Sequence, residues 1–124
     1  MLEQLWPMKI TVTTAYLSEH SPENKYAFSY NVSIKNLGAS EIKLVNRYWL
    51  ITDGNGKVSE VRGPGVVGQQ PLIAPGQSFR YASGAILDTP VGTMQGYYEM
   101  QDGDGNMYQA PIDVFGLAVP NLVN

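Results

Sequence analysis

Arg62-Gly63-Pro64-Gly65-Val66-Val67-Gly68 reads as an arginine followed by G-x-G-x-x-G. In a dinucleotide-binding fold this spacing brings backbone N–H groups up to a pyrophosphate at a helix N-terminus. Here a short strand pattern precedes the motif and a Pro-rich run through Pro71, Pro75 and Gly76 follows it. No helix pattern follows to supply a dipole, so the motif is first of all an inter-strand loop. Its chemical reading is an anion cradle, in which Arg62 and the backbone of Gly63, Gly65 and Gly68 hold a phosphate-bearing small ligand.

A second group is aromatic. Arg47, Tyr48 and Trp49 are consecutive, and Tyr97 lies on a later strand pattern. Arg47, Tyr48 and Tyr97 are the expected interaction surface, whereas Trp49 is expected in the core. Residues on one strand alternate faces, so Tyr48 should point away from the face of Arg47 and Trp49.

Other chemistry is thin. Asp102-Gly103-Asp104-Gly105-Asn106 opens like a calcium loop, but its sixth position is Met107 and its twelfth Asp113, so a hairpin turn is expected. The chain has one histidine, His20, and no cysteine. A transition-metal site would rest on His20 with Glu19 and Glu23, and a Ser-His-Asp apparatus would need the same His20. The residues call for no catalytic group, metal or cofactor, and a non-enzymatic reading follows.

The elements that position these residues are strands. Tyr26, Phe28, Tyr30, Val32 and Ile34 alternate with polar residues from Lys25 to Asn36. Similar patterns occupy 9–17, 41–52, 57–62, 77–84, 93–101 and 107–113. Between Leu44 and Val45 the apolar phase flips, which predicts a bulge. Asp53-Gly54-Asn55-Gly56 carries hairpin chemistry. Residues 85–92 read as loop, 1–8 as an arm that Trp6 docks, and 114–124 as a tail. About seven antiparallel strands with no 3.6-residue period predict an all-β, immunoglobulin-type sandwich, with a barrel as the alternative.

The chain has 124 residues, which suits a single domain spanning 1–124. Its formal net charge of −3 disfavours nucleic acid and anionic membrane as partners. No leader pattern and no long apolar run are present, so a cytoplasmic location is expected.

Several stretches together resemble the ApaG family: Val45 to Gly56, Glu60 to Pro71, Pro75 to Gly84, Thr89 to Tyr98, and the segment from Ile112 through Phe115 and Leu117 to Pro120. The resemblance implies a fibronectin type III-like sandwich and a protein-binding module, since a similar domain is appended to certain eukaryotic F-box proteins and a polymerase-interacting protein. It also implies an association with cobalt and magnesium resistance, and a phosphate-bearing ligand at the glycine motif. This chain departs from the family pattern twice. Tyr48 stands where histidine is usual, and Pro64 stands where an acidic residue is usual and lacks an N–H. The expected partner is a protein, engaged through a sheet face, an edge strand or the 63–76 loop. A free edge also allows a homodimer.

Overall fold

The structure is a computed structural model, and it describes residues 7–120. The expected docking of Trp6 and the ends of the expected arm and tail lie outside the described residues. Among the described residues eight strands form two antiparallel sheets. They are β1 (Met8–Tyr16), β2 (Tyr26–Asn36), β3 (Ile42–Asp53), β4 (Val58–Pro64), the two-residue β5 (Leu72–Ile73), β6 (Ser78–Leu87), β7 (Val91–Gln101) and β8 (Met107–Ala118). Among the described residues a single 3-10 turn, Ser18–His20, interrupts the strands, and His20 is exposed there.

One sheet has the order β1-β2-β6; the other has β4-β3-β7-β8, with β5 on the end of β3. The alternation read in 25–36 is realised: Phe28, Tyr30, Val32 and Ile34 are buried, and Asn31 and Lys35 are exposed. They meet Trp49, Tyr98, Met94 and Met100 from the facing sheet. Trp49 is 2% exposed and meets Tyr30, Tyr98 and Phe115 edge-on at 5.4, 6.2 and 5.8 Å, an arrangement aromatic quadrupoles favour.

The predicted bulge is present. Leu44 pairs with Met100 and Asn46 with Glu99, which leaves Val45 as the extra residue. The expected tail is corrected: β8 continues to Ala118, paired with Val91. A second bulge causes this, because Met94 opposes Phe115 while Gly96 opposes Ile112. The inward set therefore shifts from Ala110 and Ile112 to Phe115 and Leu117. The expected arm is likewise shortened, since Met8 already pairs with Asn36. The expected loop at 85–92 shrinks to Asp88-Thr89-Pro90, because the buried Leu87 still pairs with Tyr26.

The turns follow their side chains. Asp53 Oδ1 accepts from the N–H of Asn55 and of Lys57 at 2.9 and 3.0 Å. Asp102 Oδ1 does the same for Asp104 and Asn106, both at 2.9 Å, so the calcium-like run is a hairpin turn. Buried Asn36 donates to Ser40 O and Ile73 O and accepts from the Gly38 N–H, joining the β2–β3 turn to β5.

Candidate functional site

The two arginines singled out by sequence exchange places. In the β3–β4 hairpin Tyr48 opposes Arg62 and Arg47 opposes Gly63. Arg62 therefore lies on the outer face with Tyr48, and Arg47 lies on the inner side with the glycine loop.

On the outer face a single cross-strand row runs Arg62, Tyr48, Tyr97, Pro111. The Tyr48 and Tyr97 rings stack with centroids 4.9 Å apart. The Arg62 guanidinium sits 4.4 Å from the Tyr48 ring centroid, within cation–π range. Tyr48 donates its hydroxyl hydrogen to Glu60 Oε2 at 2.6 Å, which raises its pKa. Beside the row Asn46 Nδ2 donates to Glu99 Oε1 at 2.9 Å. Tyr48, Arg62, Tyr97 and Glu99 rim an open hollow of about 230 Å³, which Arg47 and Gly63 also border.

On the inner side Arg47 Nη1 donates to Pro64 O and Gly65 O, each at 3.0 Å. A side chain at Gly63 would meet the guanidinium at 3.1 Å, so the first glycine makes room for Arg47. The Gly65 N–H donates to Val45 O at 2.7 Å, and Gln70 Nε2 reaches the same carbonyl at 2.9 Å. The β3 bulge thus holds the loop. Val66 and Gln69 exchange N–H···O bonds of 2.8 and 2.9 Å around a two-residue turn, and Val66 is fully buried beneath it. The N–H groups of Gly65, Val66 and Gln69 are all spent on carbonyls of this chain. The loop is a hairpin clamped by Arg47, and it presents carbonyl oxygens to a cation where an anion cradle would present N–H groups.

Both central residues of that turn have positive φ, Val67 at +48° and Gly68 at +77°. Two-residue hairpins favour this pair of conformations and prefer Asn-Gly there. A β-branched residue at positive φ is strained. Val67→Asn is expected to stabilise the protein by about 1 kcal/mol, or roughly 3–6 °C in Tm for a domain of this size. Thermal unfolding checks it, and an unchanged or lower Tm would refute the strain.

Between the loop and β6 lies a second hollow of about 230 Å³, lined by Tyr30, Arg47, Trp49, Val66 to Gly68 and Tyr81 to Ser83. Tyr81 and Tyr98 share a hydroxyl–hydroxyl hydrogen bond at its inner end. Burial pushes both phenols well above the ordinary tyrosine range, and the nearby Arg47 charge offsets part of that shift. Tyr81 was not among the residues expected at a site. Its signal was its place in the apolar phase of 77–84, which marks it equally as core.

A family model described as "DUF525: ApaG domain" matches residues 17–102. The chain belongs to the ApaG domain family. It is 54% identical over 117 residues to Protein ApaG of Escherichia coli O1:K1 / APEC, covering 93% of this chain and 94% of that one. The same identity and coverage hold for Protein ApaG of Shigella boydii serotype 18. A Bordetella pertussis crystal structure described as an ApaA protein superposes with a TM-score of 0.91 at 44% identity, covering 95% of this chain and 98% of that one. In this ApaG domain the Tyr48 position, where the resemblance expects histidine, puts a phenol on the outer row. Pro64 ends β4 and turns its carbonyl to Arg47.

Proposed function

We propose that this ApaG domain is a non-enzymatic binding module whose partner is a protein, and that the Arg62–Tyr48–Tyr97–Pro111 row anchors it. The observation that carries the reading is the stacked tyrosine pair capped by Arg62 on the solvent face of the larger sheet. Tyrosine and arginine dominate the energetics of protein interfaces, because they bring large contact area with few rotatable bonds and a polar end. The carboxylates nearby are already used in structural pairs: Glu60 with Tyr48 and Arg62, and Glu99 with Asn46. No helix among the described residues is long and apolar enough to cross a membrane.

The test is selection of protein fragments displayed from a bacterial genomic library, panned on the wild type and re-assayed on Tyr97→Ala. Tyr97 is half-exposed, so its truncation should leave the fold intact while weakening the selected fragments roughly tenfold or more. Fragments that bind both proteins equally, or a selection that returns none, would overturn the reading. A phosphate-bearing ligand, which the family resemblance implies, is a second reading, but the N–H groups of 65, 66 and 69 are spent on carbonyls of this chain. For the cobalt or magnesium association, the described residues contain no cluster of three or more His, Asp or Glu side chains placed to hold a metal ion.

A further inference from the structure

The open side of the sandwich lies between the edge strands β4 and β6. The geometry points to a second site there, which takes an extended peptide as an added strand on β6 and receives one of its acidic side chains at Arg47. This surface lies on the other side of Arg47 from the outer aromatic row, and Arg47 borders the hollows of both.

Three observations carry it. The first is the main chain of β6. Leu37 and Leu17 bond to Pro7 and Ala27, while the Asn36 N–H donates to Gln77 O, so β2 turns its odd residues to β1 and its even ones to β6. With Ile34 opposite Phe79 and Val32 opposite Tyr81, the odd residues of β6 are the ones bonded inward. Arg80, Ala82, Gly84 and Ile86 therefore direct N–H and C=O outward, and no partner for them occurs among the described residues. Edge strands ordinarily carry charges, proline or a bulge against such pairing. β4 has Glu60, Arg62 and Pro64, β8 has Pro111 and a bulge, and β1 packs against β8. β6 has a single charge, Arg80, and from Tyr81 to Leu87 neither charge nor proline.

The second observation is the hollow beside Tyr81–Ser83, which opens along this edge. An added strand sends alternate side chains inward, and the residue opposite Ser83 would enter that hollow. Farther along, Ile86 is 66% exposed, and Val61 on β4 is partly exposed across the gap, so neighbouring inward and outward positions meet apolar surface.

The third observation selects the charge. Arg47 spends Nη1 on two loop carbonyls, and no carboxylate pairs with it among the described residues. A guanidinium has five N–H donors, and it pairs best with a carboxylate through two parallel bonds. A half-buried arginine with donors to spare, at the wall of a hollow beside a free strand edge, fits an Asp or Glu side chain presented by an extended backbone.

The experiment uses labelled peptide pools, randomised except for a central Glu, Gln or Lys, and reads their retention on the immobilised full chain. The Glu pool should be retained roughly tenfold above the others. Ala82→Pro removes one outward N–H without touching the bonds to β2, and it should abolish retention. Ser83→Glu, which supplies a carboxylate from within, should do so as well. Tyr97→Ala should change nothing, which separates this site from the aromatic row. In the Glu-pool complex, amide exchange should slow at Arg80, Ala82, Gly84 and Ile86. Equal retention of the three pools, or retention that survives Ala82→Pro, would overturn the proposal. So would a self-associated species by sedimentation with those same amides protected, because the occupant would then be a second copy of this chain.

Discussion

Gly96→Ala is expected to cost about 3 kcal/mol or more of stability, because the added methyl would collide with main chain in the middle of the larger sheet. Gly96 lies at the centre of β7, opposite Trp49 on one side and Ile112 on the other. A Cβ there would fall 1.9 Å from Tyr48 O and 2.9 Å from Tyr48 C. Flexible side-chain ends can yield to such contacts, but a hydrogen-bonded strand cannot without parting from its neighbour. The indole of Trp49 depends on this approach, since it packs edge-on against Tyr30, Tyr98 and Phe115. Separating β3 from β7 would unseat the largest side chain of the core. Gly116→Ala is the control, because nothing lies within 4 Å of where its Cβ would stand and its φ is not positive. Urea unfolding of the two variants should give a large drop in midpoint for the first and almost none for the second. A loss under about 1 kcal/mol at Gly96 would show that β3 and β7 can move apart freely there.

The outer row shows how far a sequence carries toward a site. Alternation alone separates Arg47 from Tyr48. Joining Tyr48 to Arg62 needs the register, which the turn sets: its tip runs from Asp53 to Lys57, so Thr52 pairs with Val58 and Tyr48 with Arg62. The hairpin signal is legible, but a four-residue tip at Asp53 to Gly56 would pair Tyr48 with Val61; the inclusion of Lys57 in the turn is what places Arg62 beside the tyrosines and away from the glycine loop. Phase flips were legible unevenly. The one at Leu44/Val45 stands out inside a long apolar strand, while the one between Ile112 and Phe115 is masked by Pro111, Gly116 and Pro120, which read as a frayed end. Gly84 and Gly92 misled in the same direction, because both sit within strands, where glycine ordinarily marks a break. The spare donors of Arg47 and the outward amides of β6 are properties of pairing across the fold, and composition and spacing contain no trace of them.

The three glycines of the 63–68 run provide the second large expectation, because each has a different physical reason and so a different cost. Gly65 has φ +61°, and a Cβ on it would lie 2.0 Å from Gln69 O and 2.8 Å from Gln69 C. Left-handed backbone costs an alanine about 1–2 kcal/mol. Relieving the collision would also break the Val66–Gln69 pair and lift Val66, which is fully buried. Gly65→Ala is therefore expected to lose about 3 kcal/mol or more. Gly68 shares the positive φ but has nothing within 4 Å, so Gly68→Ala should lose only the conformational cost, about 1 kcal/mol. Gly63 has no positive φ and faces the Arg47 guanidinium at 3.1 Å, a flexible group that can shift, so Gly63→Ala should lose less than Gly65→Ala. Urea unfolding of the three variants without any ligand should rank Gly65 far above the other two. A loss at Gly65 no larger than that at Gly68 would remove the Arg47-clamped hairpin as the reason for that glycine.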